Sequence, residues 1–382
     1  AIELRLPTQP PTYRTPAAMP RLLACALLLP GLAASVLLHG RGAQAPEAAL
    51  GLNVSDPAPL ASASAGAPAP ASLPPPWNRS LTLTTVKSAS NYTERPGKSV
   101  AIFLQVGNAQ LWKDMARCVQ GVLASNKSVG AVDLFISLVF PQDEGRIRRG
   151  LGALEGIRGV YLQHSENRGA DVGQFLQQLY VVSRTMKPRY DYILKMHTKT
   201  DTIWRAGGID DLCVNARRVN KVLGTLAGVG HLGMLGPYLL VFDWRSKTTL
   251  SGWNSPEELA AVREAWELVE PGTAPPRDDQ VMIVAGSMFW VRADLLFGDT
   301  KLLRAIPALL DRMNIGYVKG SCCQMAHGVE RLVPTRIALR HMSVTFTKGP
   351  MILRREAWPG APLRFITEAD YAASLRAAGA GV

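Results

Sequence analysis

The chain has 382 residues, of which 47% are hydrophobic and 19% charged, with 34 Gly, 27 Pro and a formal net charge of +12. Sparse charge, an ordinary apolar content and glycines without a three-residue period exclude a disordered or fibrous protein. At roughly 150 residues per domain the length suggests two or three domains. The first hundred residues, however, carry eight Lys or Arg against four Asp or Glu, so most of the basic excess belongs to the remainder.

Residues 22–38 carry no ionisable side chain, with Arg14 and Arg21 before them and Arg41 after. The run is near the lower limit for spanning a bilayer and reads as an uncleaved signal anchor rather than a removed signal peptide, since Pro46 follows the Ala43-Gln44-Ala45 stretch. Residues 1–21 would then be a cytoplasmic segment or an incomplete terminus, and residues 39–98, rich in Ala, Ser and Pro, a luminal stalk. Glycosylation triplets at Asn53, Asn78, Asn91 and Asn126 agree with that placement. The expected localisation is a type II protein of the Golgi membrane with a luminal domain, the alternative being a secreted protein; the expected partners include the membrane, through the anchor. Five cysteines are too few for a disulfide scaffold, and no C-x-x-C pair suggests zinc. One or two bridges fit among Cys118, Cys213, Cys322 and Cys323.

Residues 99–370 read as alternating strand and helix. Apolar runs predict strands over 99–106, 132–140, 159–164 and 190–196, and later over 232–235, 239–242 and 287–291. Helices are predicted over 111–123, with Leu111, Met115, Val119, Val122 and Leu123 on one face, and over 172–185, with Phe175, Leu176, Leu179, Tyr180 and Val182. This alternation implies one α/β domain, a mixed, mostly parallel sheet flanked by helices, followed by a tail over 371–382. Ligands of such sheets bind beyond the carboxyl ends of the strands. There the sequence places two polar, glycine-bearing loops, 165–173 and 197–205, with seven Lys or Arg against four acids over 165–205. That surplus suits a diphosphate held by ammonium and guanidinium groups; a solvated basic face and, for Asp171, a simple helix cap are the plainer readings. Nucleic acid is excluded as a partner, because no basic run is interleaved with aromatics.

At these loops the chain resembles the rhamnan synthesis protein F family of glycosyltransferases. The matching pieces are N-R-G-A-D-V-G-Q-F-L from Asn167, Y-I-L-K-M-H-T-K from Tyr192 with Trp204-Arg205 beyond, L-G-M-L-G-P from Leu232, A-G-S-M-F-W-V-R from Ala285 and A-H-G-V-E-R-L from Ala326. The resemblance implies a GT-A-like, Rossmann-like catalytic domain. It would move a sugar, in that family commonly rhamnose, from a nucleotide-diphosphate donor to a cell-surface or secretory-pathway glycan. It implies donor binding by Asn167, Arg168, Gly169, Asp171, His197, Lys199, Arg205, Gly286, Ser287 and Trp290. Where such enzymes usually carry Asp-x-Asp, this chain reads His197-Thr198-Lys199. Lys199 and Arg205 would then supply part of the charge of a metal, and no cofactor is certain; the alternative is a divalent Mn or Mg ion with Asp201 as a displaced ligand.

A hydroxyl acceptor needs a general base unless it attacks from the front face with retention. The family tends to carry an Asp-Gly-Thr stretch before Ala326, and here Cys322-Cys323-Gln324 stands instead. The remaining candidates are Glu330 and His327, which share a helical face three residues apart, then Asp278 and Asp279. An ion pair of Glu330 with Arg331 or Arg336 is the structural alternative. Phe289 and Trp290 fit either a sugar platform or the core. The competing function is a non-catalytic glycan-binding or scaffold protein on the same fold. A hydrolase is disfavoured by the absence of G-x-S-x-G and H-E-x-x-H motifs.

Overall fold

The computed structural model describes residues 76–77, 81–88, 92, 95–186, 189–237, 241–243, 256–316, 324–340, 343–348, 351–354 and 364–366. In chain order the elements are β1 (Thr84–Ser88), β2 (Lys98–Val106), α1 (Trp112–Leu123), β3 (Val129–Leu138), α2 (Glu144–Leu151), β4 (Gly159–His164), α3 (Ala170–Thr185) and β5 (Tyr192–His197). Then follow α4 (Thr202–Leu212), α5 (Ala216–Gly228), β6 (Leu232–Pro237), β7 (Val241–Asp243), α6 (Pro256–Val269), β8 (Met282–Val284), β9 (Phe289–Arg292) and α7 (Asp294–Phe297). The last are α8 (Thr300–Asp311), α9 (Met325–Leu339), β10 (Ser343–Lys348), β11 (Met351–Arg354) and β12 (Arg364–Ile366).

The main sheet runs β1-β4-β3-β2-β5-β9-β6-β10-β11-β12, and β7 pairs with β8 apart from it. Pairings β3–β4, β2–β3, β2–β5 and β6–β10 are parallel. Those of β1, β9, β11 and β12 are antiparallel. The sheet is therefore mixed rather than mostly parallel. Parallel order survives where helical crossovers join the strands, and it ends at β9, which enters the gap between β5 and β6 from the opposite direction.

Helices cover both faces because the central strands bury both. Along β2, Val100, Ile102, Leu104 and Val106 pack with Met115 of α1, Ile147 of α2 and Val219 of α5. Ala101 and Phe103 point the other way and pack with Phe175 of α3, Trp266 of α6 and Leu332 of α9. This is the period-two alternation of a strand read across two apolar layers.

The folded domain begins earlier than predicted. β1, inside the stretch read as stalk, pairs with β4, and Trp77 is buried edge-on against Tyr180 at 5.1 Å between ring centres. Cys118 of α1 forms a disulfide with Cys213 at the end of α4; Cys322 and Cys323 lie outside the described residues. The anchor expectation is corrected: among the described residues no helix is long and apolar enough to cross a membrane. The type II topology, Golgi membrane placement and membrane partnership built on that anchor are withdrawn with it. Residues 22–38 themselves, like Asn53, Asn78 and Asn91 and the tail 371–382, lie outside the described residues.

Candidate functional site

The carboxyl ends of β4, β3, β2 and β5 open on one edge, and the loops that follow them meet there. Thr198, just past β5, accepts hydrogen bonds from the backbone N–H groups of Gly107 and Asn108 past β2, at 2.9 and 3.0 Å. β9 runs antiparallel beside β5 with Phe289 opposite Lys195, so the turn leading into β9 arrives at the same edge. That turn needs left-handed backbone at Gly286 (φ 72°) and at Ser287 (φ 46°). For a non-glycine residue that conformation is unfavourable, and it is retained where the surroundings over-determine it.

Ser287 is fixed by a buried polar cluster. Lys195, only 1% exposed, donates to Asp171 Oδ2 at 2.7 Å and to Ser287 Oγ at 2.9 Å, and the Ser287 hydroxyl donates to the same Asp171 oxygen. His197 Nδ1 lies 3.0 Å from Asp171 Oδ2, at ion-pairing distance without the alignment of a full hydrogen bond. Lys195 and His197 are two apart on β5 and so share the face that α3 covers. Asp171 stands in the first turn of α3, where the helix N-terminus favours negative charge. Its approach depends on Gly169, whose backbone is left-handed (φ 62°) and whose added Cβ would collide with Met313 Sδ. Burial opposes ionisation of Asp171, but the His197 imidazole and the Lys195 ammonium hold its carboxyl well below the usual carboxylate range. Burial pushes Lys195 down from its ordinary value against the pull of Asp171, and pushes His197 down in the same way.

A polar row continues across the sheet. Gln105 stands opposite both His197 and Ser137, and Ser137 opposite Gln163. Under α3, Gln105 donates to Gln178 at 2.7 Å, and Ser137 donates to Ser165 at 2.7 Å.

α9 brings Glu330 to this edge, and the expected alternatives for it fall away. Arg331 pairs with Glu258 of α6 at 2.5 Å, and Arg336 forks onto Asp299 with bonds of 2.8 to 3.0 Å and reaches Glu270. Glu330 therefore has neither arginine as an ion-pair partner. Loss of solvent, reinforced by the negative charge of Asp171, pushes its carboxyl up to about 7. His327 differs. Its Nδ1 accepts the Gln324 backbone N–H at 3.3 Å in the cap of α9, so its proton is on Nε2 and it presents a donor, not a base. Burial and then Arg331 push its pKa down. Asp278 and Asp279 are engaged by Arg263 and Arg277 at 2.6 and 3.1 Å on the surface.

The predicted cations are largely committed within the protein. Arg168 is 1% exposed and bonds Glu166 and the carbonyls of Leu310 and Met313. Arg205 bonds Asp114 of α1 at 2.8 Å and the carbonyl of Lys199 at 2.6 Å, tying its own loop. Lys199 is partly exposed, with Nζ 5.1 Å from the centre of the Trp204 ring. Asn167 serves through its backbone carbonyl, which accepts from Gly316. Trp290 is wholly buried and donates to the carbonyl of Leu212, so it belongs to the core, as does Phe289. Asp201 caps α4 by accepting from Trp204 N–H at 2.9 Å. Among the described residues no three His, Cys, Asp or Glu side chains form a metal-holding group.

Asp171, His197, Ser287, Lys199 and Glu330 are thus brought into one electrostatic neighbourhood, while Arg168 and Trp290 are withdrawn into the fold. Lys195 was expected only as one of the cations of 165–205, not as the buried partner of Asp171, and Gln105 was not expected there. A lysine inside the apolar run Y-I-L-K-M was the available signal, since a strand buried on both faces carries a lysine only when it is paired. Fold and site together define an α/β domain with a mixed sheet and a partly buried carboxylate, lysine and histidine cluster at the carboxyl edge of its parallel strands. No protein-family model and no curated protein sequence matches the chain.

Proposed function

We propose that the domain is a glycosyltransferase of GT-A-like organisation that moves a sugar from a nucleotide-diphosphate donor to a hydroxyl acceptor, in keeping with the resemblance to the rhamnan synthesis F family. The observation that carries this reading is Glu330: a carboxyl pushed up to about 7 by burial and Asp171, without an ion-pair partner among the described residues, and within electrostatic reach of Arg331, Lys199 and Lys195. A base poised near neutrality is suited to take the acceptor's proton. The acceptor oxygen bonds to the anomeric carbon, its proton passes to Glu330, the glycosyl–phosphate bond breaks and the nucleoside diphosphate leaves with the electron pair. Lys199 stabilises the charge that develops on the leaving group.

The chemistry of the cluster also bears on a metal. Asp171 is already bound to Lys195 and Ser287, and Asp201 to the cap of α4, so the donor set does not fit a divalent ion on these residues. No step of the proposed transfer passes through such an ion.

One observation favours the second reading, a glycan-binding protein without catalysis: Arg168, Lys195 and Arg205 are neutralised by Glu166, Asp171 and Asp114. Both readings meet one test. Purified protein is incubated with UDP-, GDP- and dTDP-sugars and glycan acceptors, and nucleoside diphosphate release is measured. Release with one donor is expected. No release with any donor, alongside retained glycan binding, assigns the second reading.

A further inference from the structure

From Met325 to Ile337, α9 is enclosed by the fold, and only Ala326, His327 and Glu330 are left partly exposed. The two polar side chains of that opening are three positions apart, so they leave one face of the helix with Cβ atoms about 5–6 Å apart. A ligand that meets α9 therefore meets this pair. The helix cap sets the tautomer of His327. Gln324 and His327 exchange cap bonds, and the His327 Nδ1 lone pair accepts from the Gln324 backbone N–H at 3.3 Å. The neutral ring thus carries its proton on Nε2. That N–H has no hydrogen-bond partner among the described residues and, unlike the ring nitrogens of His197, is not closed off from solvent. Glu330, when ionised, offers acceptor oxygens only. The exposed face of α9 accordingly presents an N–H donor beside a carboxylate acceptor.

The chemistry of the occupant follows from that pair. A phosphate could accept from Nε2, but its anionic oxygens would be repelled by Glu330. A hydroxyl is neutral and both gives and receives a proton, so neighbouring hydroxyls of one sugar satisfy both groups at once. We infer that the His327–Glu330 face of α9 is the acceptor subsite and binds two adjacent hydroxyls of the acceptor sugar: the attacking hydroxyl donates to Glu330, and the oxygen of its neighbour accepts from His327 Nε2. The inference rests on the glycosyl-transfer reading in assigning these hydroxyls to an acceptor. Burial and Arg331 favour the neutral ring, which suits a neutral partner. His327 then decides which hydroxyl meets the base, and a sugar lacking the neighbouring hydroxyl loses that contact, a form of discrimination stronger than a missing methylene.

Nitrogen-15 NMR of the intact, histidine-labelled protein tests this, with the His327 signals identified by their loss in His327→Gln. The free protein is expected to show His327 as the neutral Nε2–H tautomer. Its Nε2 signal is expected to shift on titration with one of the methyl glycosides of L-rhamnose, D-glucose and D-galactose, and to stay in place with inorganic phosphate. Two variants separate the sugar contact from the cap, because Gln and Glu at this position both close a capping box. His327→Gln keeps an N–H donor and is expected to bind the responding glycoside within about twofold of the wild type, whereas His327→Glu has no donor and is expected to bind it about tenfold more weakly. The monodeoxy derivative lacking the neighbouring hydroxyl is expected to bind the wild type about tenfold more weakly than its parent and His327→Glu no more weakly than its parent, a difference that a purely structural role would not produce. An Nδ1–H tautomer, a shift with phosphate in place of sugar, no shift with any of the three glycosides, or an equal deoxy penalty in the two proteins overturns the inference. Nucleoside diphosphate release measured on the same preparation separates the two claims. A glycoside shift at His327 without turnover keeps the hydroxyl contact and removes the transferase reading, and turnover without that shift does the reverse.

Discussion

Glu330 and His327 occupy adjacent positions on one helical face, and local hydrogen bonding gives them different chemistry. The backbone N–H of Gln324 uses the Nδ1 lone pair of His327, whereas Glu330 has no ion-pair partner among the described residues and a carboxyl pushed up to about 7. If Glu330 is the base, kcat/KM rises with pH through about 7 and levels above it, and Glu330→Gln lowers turnover about a hundredfold or more while leaving the fold intact. The same carboxyl makes a stability prediction of opposite sense. A folded pKa raised above its ordinary value of 4.5 stabilises the protein below about 4.5, and that contribution is lost as pH rises through about 7. Discounting for the partial exposure of the side chain, Glu330→Gln is therefore expected to be more stable than the wild type by about 2 kcal/mol at pH 8 and nearly equal to it at pH 4, read by urea titration. Lys199→Ala is expected to raise the Kd for the nucleotide-sugar that supports turnover about tenfold with little change in Tm; an unchanged Kd removes Lys199 from the site. At this scale the sequence showed which residues carry chemistry but not how their charges are spent. Nothing within N-R-G-A-D-V-G distinguishes Arg168, bonded to carbonyls 142 and 145 positions away, from a cation facing a ligand.

Element placement explains why the cluster forms. α9 is fixed in rotation by Arg331 on Glu258, by Arg336 on Asp299 and by Thr335, which accepts from Met282 N–H. Gly328 allows the close approach, since an added Cβ would strike the carbonyl of Ala261 on α6. On the other face α1 and α4 are joined by the Cys118–Cys213 disulfide and by Arg205 on Asp114, and α4 carries the loop that holds Lys199. A crosslink spanning 95 positions constrains the unfolded chain by about 5 kcal/mol. The Cys118→Ala/Cys213→Ala variant is accordingly expected to lose stability of that order in urea titration, and its donor affinity to fall because the Lys199 loop loses an anchor. The central strands and α1 and α3 were legible because their apolar periodicity is strong. The direction of β9 was not, because F-W-V-R has the same local pattern whichever way it pairs; a tertiary choice, entry between β5 and β6, decides it. β1 was hidden for a related reason: T-T-V-K-S is polar on one side and joins the sheet only at its edge.

For the whole molecule, the net charge of +12 changes meaning. It pointed to a cluster of cations awaiting a diphosphate, yet Arg168, Lys195 and Arg205 have acidic partners, and Arg184 lies on the Tyr180 ring and hydroxyl. The three ion-paired cations are balanced within the fold and do not form an open clamp. Length also overstated the domain count, since the described residues from β1 to β12 share one main sheet apart from the β7–β8 pair. The membrane reading rested on one apolar run, and no helix among the described residues bears it out. The central proposal is that the carboxylate cluster at the carboxyl edge of the parallel strands is a transfer site. The direct measurement is nucleoside diphosphate release from UDP-, GDP- and dTDP-sugars in the presence of glycan acceptors, with wild type and Glu330→Gln side by side. Acceptor-dependent release from one donor is expected of the wild type, with near-complete loss in the variant. Equal release by the two proteins, or none from any donor by the wild type, would contradict it.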